Sequence, residues 1–141
     1  FAAHNDPEQL DIDEAVMEQL QKLHPSTIAE YNVDGPVIWV LLIPTNTELM
    51  KLFLEHKIGE KELLNQTIPG TIYNALYLCS ALTLPEYRNK GLTKKLALES
   101  IADISKSHPI ESLFVWGFSE EGEGLAKAIA AHEKLPLYER N

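Results

Sequence analysis

The sequence predicts a layered α/β domain built around one central sheet. Three observations carry that expectation. Apolar runs at 36–43, 75–84 and 110–118 are rich in β-branched and aromatic residues and have the length of strands buried on both faces. The segments around them place apolar residues at three- and four-residue steps, the period of a helix with one buried face. Proline and glycine fall at the boundaries of these segments, where they interrupt regular structure.

Taken in order, residues 1–9 are polar and read as a flexible tail, followed by one domain over 10–141. Ile12, Val16, Leu20 and Leu23 define an amphipathic helix behind acidic residues, and Pro25 ends it. Asp34-Gly35-Pro36 is turn chemistry leading into the first strand run. After Pro44, Thr45, Asn46 and Thr47 offer N-caps and Glu48 an acidic first turn; Leu49, Leu52, Phe53 and Leu54 give a helical face up to about His56. Gly59 interrupts, and 60–65 makes a short helix. Pro69-Gly70 turns the chain into the second strand run. A helix over 91–105 follows, with Leu92, Leu96, Leu98, Ile101 and Ile104 as its apolar positions. The third strand run comes next, then an alanine-rich helix over 124–134. The expected order is helix, strand, helix, strand, helix, strand, helix, with room for one short strand after 135.

Composition narrows the function classes. The 141 residues fit one domain with a core of ordinary size, and hydrophobic residues at 45% are normal for a globular chain. Twelve Lys and Arg against 21 Asp and Glu give a net charge of −9, which disfavours general binding to nucleic acid or anionic membrane. No run approaches the roughly 18 apolar residues that span a bilayer. Residues 1–4 show no basic region ahead of an apolar one, so a cytoplasmic, reducing compartment is expected. The first residue is Phe1 rather than Met, which suggests a trimmed or processed chain. The single cysteine excludes an internal disulfide, and Cys79 sits in an apolar run as a small hydrophobe. The five histidines have no paired ligand spacing, so no metal is expected. Trp39 and Trp116 read as core.

The stretch 82–96 reverses the charge of the chain locally. A strand stops at Pro85, crosses a short turn, and enters a helix at Gly91. Arg88, Lys90, Lys94 and Lys95 lie within eight residues, opposed over 85–95 only by Glu86. The first amides of a helix lack internal partners and sit in positive potential, and a glycine there lets a ligand approach the backbone. These residues suit a phosphate-bearing ligand; they also suit a plain strand-to-helix turn with solvated lysines.

The run Pro85-Glu-Tyr-Arg-Asn-Lys-Gly-Leu-Thr93 behind an apolar strand resembles the acyl-CoA-binding motif of the GNAT N-acetyltransferase superfamily, [Arg/Gln]-x-x-Gly-x-[Gly/Ala] after Pro-x-Tyr. Arg88, Gly91 and Thr93 stand at its defined positions. Residues 128–137 are similar to the family's later Ala-x-x-Leu-Tyr-Glu-Lys-Leu-Gly-Phe signature, so the resemblance spans about 76–137. It implies a GNAT-like mixed central sheet flanked by helices, with acetyl-CoA as co-substrate and a small-molecule or peptide amine as acceptor. Leu82, Thr83 and Leu84 would meet pantetheine through the main chain. The turn Arg88, Asn89, Lys90, Gly91, Leu92 and Thr93 would wrap the pyrophosphate, and Lys94 or Lys95 would meet the ribose phosphate. His132 stands where the family has its tyrosine acid and would protonate the leaving thiolate, with Tyr138 as a fallback.

The chain departs from the pattern at Thr93, where Gly or Ala is usual, at Asn89, at His132, and in lacking the length for two further strands. An absent wall exposes a sheet edge, from which a homodimer or a truncated chain is expected. Ser119 and the acidic residues after it read as the cap of the last helix, with Ser119 or Glu120 near an acceptor amine as the functional alternative. Glu30 and Tyr31 are further acceptor-side candidates. The leading expectation is transfer of an acetyl group from acetyl-CoA to a primary amine. The second is a non-catalytic GNAT-like module that binds CoA, acyl-CoA or a protein partner, and the third a relic of the fold that binds no CoA.

Overall fold

The computed structural model describes residues 10, 12–117 and 119–141. The tail assigned to 1–9 and the last residue of the third strand run, Phe118, lie outside the described residues. The helices are α1 (Glu14–Leu23), α2 (Thr47–Leu54), α3 (Glu60–Gln66), α4 (Leu92–Ser105) and α5 (Glu120–Glu133). The strands are β1 (Ile28–Asn32), β2 (Pro36–Thr45), β3 (Ala75–Thr83), β4 (Ser112–Trp116) and β5 (Leu137–Arg140), paired in chain order as one open sheet. β1–β2 and β2–β3 are antiparallel; β3–β4 and β4–β5 are parallel. The architecture is therefore α/β with a mixed sheet flanked by helices, and it is compatible with the GNAT-like order that the sequence suggested.

Alternation along the strands sorts the core into two layers. Leu41, Ile43, Ala75, Tyr77, Cys79, Phe114 and Trp116 pack with α1, α2 and α3. Leu42, Leu76, Leu78, Leu113 and Val115 pack with Ala97, Ile101 and Ile104 of α4 and Ala126 and Ile129 of α5. The two parallel connections, β3–α4–β4 and β4–α5–β5, thus put both helices on one face. Local chemistry fixes the helix starts. Asp13 caps α1 by accepting from Val16 N, Asn46 caps α2 by accepting from Leu49 N, and Ser119 caps α5 by accepting from Gly122 N.

Several boundaries differ from the sequence reading: α1 starts at Glu14, which leaves Ile12 outside it and half exposed, and β4 keeps only Ser112–Trp116 of the run 110–118. β1 was not anticipated, because it is an edge strand whose residues are half-buried or exposed and so carry no continuous apolar run. α5 begins at Glu120 rather than 124, since the Ser119 cap and acidic first turn start it four residues early. The expected short final strand is β5.

The sheet opens between β3 and β4. Their pairing covers only Ala75–Ser112, Leu76–Leu113 and Tyr77–Phe114, whereas β3 runs on to Thr83 and β4 to Trp116. At the same point the β2–β3 register steps from Leu42–Leu78 to Leu41–Ser80, so Cys79 is an extra residue in β3. A bulge bends its strand and increases the local twist, which steers the tail of β3 away from β4.

Candidate functional site

The tail of β3 leads into a built turn. Leu84 N donates to Val37 O at 2.9 Å and holds the end of the strand against β2. Pro85–Tyr87 form one 3-10 turn, for which the fixed φ of Pro85 is suited. Asn89 (φ 61°) and Gly91 (φ 71°) then take left-handed backbone, a conformation that asparagine tolerates and glycine adopts freely. Gly91 is the N-cap of α4 and supplies no side-chain bond. The first intrahelical bond at this end runs from Lys95 N to Gly91 O, which leaves the amides of Leu92, Thr93 and Lys94 outside the internal ladder of α4. No acidic residue lies in the first turn of α4.

Two contacts tie the turn back to the strand. Arg88 Nε donates to Thr83 O at 3.2 Å, and the hydroxyls of Thr83 and Thr93 are 2.6 Å apart. Lys90 Nζ lies 5.6 Å from the centroid of the Tyr87 ring. Around this turn is a cleft of about 670 Å³, floored by Ala81, Leu82 and Thr83, walled by the chain from Tyr87 to Lys94, and closed opposite by Ser119, Glu121, Gly122 and Leu125. Leu82 is 51% exposed, an apolar side chain left uncovered at the opening of the splay.

The cleft gathers nine of the residues singled out in the sequence: Leu82, Thr83, Arg88, Asn89, Lys90, Gly91, Leu92, Thr93 and Lys94. Leu84 is not in the lining; it packs at the margin of the α4–α5 layer. Neither is His132, which is exposed near the far end of α5, with Nδ1 3.6 Å from Glu133 Oε2. Its distance along the helix from Leu125, which does line the cleft, is about 10 Å at 1.5 Å per residue. Tyr138 is exposed on β5, and Glu30 and Tyr31 are exposed on β1. Of the two acceptor-side candidates at the start of α5, Ser119 lines the cleft and also caps that helix, while Glu120 is not in the lining. Glu121, Gly122 and Leu125 carried no signal of their own. A Cβ at Gly117 would fall 2.7 Å from Glu123 Oε1, the end of a flexible side chain that can turn aside.

The opposite face of the splay holds a buried polar group. Glu60, at the start of α3, is 4% exposed. Its carboxyl accepts from Leu10 N at 2.6 Å, from the Tyr77 hydroxyl, and from the Cys79 thiol at 3.7 Å. Burial raises the Glu60 pKa above the ordinary carboxylate value, against these hydrogen bonds. Burial likewise pushes the Tyr77 phenol and the Cys79 thiol well up, with Glu60 adding to both. Cys79 is accordingly a buried thiol rather than a thiolate nucleophile.

Among the described residues no group of three or more His, Cys, Asp or Glu is arranged to hold a metal ion, and no helix is long and apolar enough to cross a membrane. No family model, curated protein or solved structure matches the chain.

Proposed function

We propose that the chain is a GNAT-like N-acetyltransferase that carries an acetyl group from acetyl-CoA to a primary amine. The observation that supports this best is the continuity of one cleft, which joins the open β3–β4 seam to the uncapped, basic N-terminus of α4. The cleft meets both chemical demands of such a donor. The amides of Leu92, Thr93 and Lys94, with Lys90 and Lys94 beside them, suit a pyrophosphate. The tail of β3 offers main chain to an extended amide-containing arm, since no residue beyond Tyr77 pairs with β4.

In this reading the thioester lies at the seam beside the bulge. The amine nitrogen attacks the carbonyl carbon, the C–N bond forms, the C–S bond breaks, and the thiolate leaves with a proton lost by the amine. A backbone amide of the β3 tail holds the developing oxyanion. The cysteine takes no part. The net charge of −9 suits a cationic acceptor better than a nucleic acid. We place the protein in the cytoplasm on the strength of its lone, buried thiol, and the open edges β1 and β5 leave room for a homodimer.

One observation favours the second reading, a module that binds CoA or an acyl-CoA without turnover. Thr83 O already accepts from Arg88, and the Thr83–Thr93 contact spans the strand end and the first turn of α4. Both occupy groups that a donor would use.

Calorimetry with acetyl-CoA and CoA tests the cofactor reading. Gly91→Asp places a carboxylate in the cleft and should weaken binding by at least about tenfold, roughly 1.4 kcal/mol. Gly91→Asn keeps the shape and tolerates the left-handed backbone, so it should retain most of the affinity. The Cβ at this position meets open space, so neither change clashes within the protein. Absence of heat at millimolar ligand ends both CoA-based readings. A thiol-release assay with a panel of amines then separates transferase from module.

A further inference from the structure

Among the described residues Arg140 is the largest fully buried side chain, at 2% exposure, although it stands on a four-residue edge strand. In register it faces Trp116, the last residue of β4 and two beyond its final pair with β3. Its guanidinium carbon is 4.2 Å from the Trp116 ring centroid and 4.5 Å from that of Phe53. Its Nε donates to His56 Nδ1 at 3.2 Å. The Tyr77 phenol, bonded to Glu60, lies within reach of the Arg140 charge. Two aromatic faces, a histidine nitrogen and a nearby buried carboxyl make a site for a planar or tetrahedral cation.

Four features mark this as a place for exchange rather than a fixed core contact. The pocket flanks the seam from the α1–α3 face, while the cleft reaches the seam from the α4–α5 side. His56 is exposed although its Nδ1 meets a buried partner, so the pocket borders solvent there. His56 also holds a positive φ of 63°, a strained backbone for a residue with a Cβ, of the kind that collects at functional sites. The strand that carries Arg140 pairs with β4 over only four positions, and short edge strands open at the least cost.

We propose that this pocket is the ammonium subsite for the acceptor and that Arg140 is its intramolecular stopper. The inference rests on the transferase reading above. A cationic amine takes the place of the guanidinium between Phe53 and Trp116, and β5 loosens from β4 to admit it. One set of cation–aromatic contacts replaces another, and the displaced guanidinium exchanges its bond to His56 for water. The ammonium is the anchor, and a second, unprotonated nitrogen of the same acceptor stands on the side of the seam from which a thioester in the cleft can be attacked.

Arg140→Ala and Arg140→Met test this, the second keeping apolar bulk where the first fails to fold. Methylguanidine is titrated into each variant and into wild type without acetyl-CoA, following tryptophan fluorescence and melting temperature. Saturable binding to a variant, about fivefold tighter than to wild type, is expected; no binding to either folded variant overturns the pocket. In thiol-release assays with 1,4-diaminobutane, the variants should lower KM for the amine by about fivefold with kcat little changed. Methylguanidine should compete with the amine and not with acetyl-CoA. An unchanged or raised KM in a folded variant means that Arg140 only supports the fold, and overturns the stopper. Acetyl-CoA calorimetry on the same proteins separates the two failures. No acetyl-CoA binding ends the transferase reading and the acceptor assignment with it, while the methylguanidine titration still decides whether the pocket takes an external cation.

Discussion

Two helix N-termini meet at one cleft, and the chain has finished them in opposite ways. α5 is closed: Ser119 accepts from Gly122 N, and Glu120, Glu121 and Glu123 place negative charge in its first turn. α4 is open: its cap is a left-handed glycine without a side chain, its first turn has no acid, and Lys94 lines the cleft beside it. A helix end that is satisfied from within gains stability and has little left for a ligand. The end that is left unsatisfied gives up that stabilisation and keeps its amides and positive potential available. The difference teaches that in this fold α5 serves as wall and α4 as cradle.

The comparison breaks most sharply if the charge of one end is moved to the other. Lys94→Glu gives α4 an acidic first turn like that of α5, and acetyl-CoA binding should fall by about tenfold or more, read by calorimetry at low salt. If affinity is unchanged, the α4 terminus is not the phosphate site. Ser119→Ala tests the other end. It should cost about 1 kcal/mol of stability in urea unfolding, while acetyl-CoA affinity stays within about twofold. A large loss of affinity here would make α5 part of the cradle.

A smaller effect comes from the buried face. The raised pKa of Glu60 means that the folded state holds its proton more tightly than the unfolded chain does. Its contribution to stability is therefore greatest below the ordinary carboxyl value of 4.5 and is lost as pH rises through the folded pKa. Glu60→Gln removes that dependence, so its melting temperature should gain on wild type as pH rises from 4 to neutrality. A gap that does not change with pH contradicts the assignment. The smallest effect is expected at His132, which stands outside the cleft. Thiol release by His132→Ala should match wild type, and a drop of about tenfold would bring this residue back into the site through a motion of α5.

Much of this arrangement was legible in the chain. The runs at 36–43 and 75–84 became β2 and β3 because both are central strands buried on both faces, where an unbroken apolar stretch is the only stable solution. The turn over 88–94 was legible because its signals are local: a glycine at the start of a helix and a charge reversal against an acidic chain. β1 was not, since an edge strand with polar residues leaves little pattern. Arg140 was not either, because nothing in Leu137-Tyr-Glu-Arg140 announces a buried guanidinium.

By itself the sequence determined the α/β class, the central strands, the cap at Ser119, the cap of α2 as one of Thr45, Asn46 and Thr47, and the basic turn before α4. All of these follow from interactions between residues close along the chain. The tertiary structure alone decided that β3 and β4 part beyond Tyr77 and Phe114, that the N-terminus of α5 walls the cleft, and that His132 stands away from it. It also brought Glu60, Tyr77, Cys79 and Arg140 together across α3, β3 and β5. The physical reason is that strand pairing and helix packing join residues tens of positions apart, and periodicity carries no record of which distant segment a given face will meet.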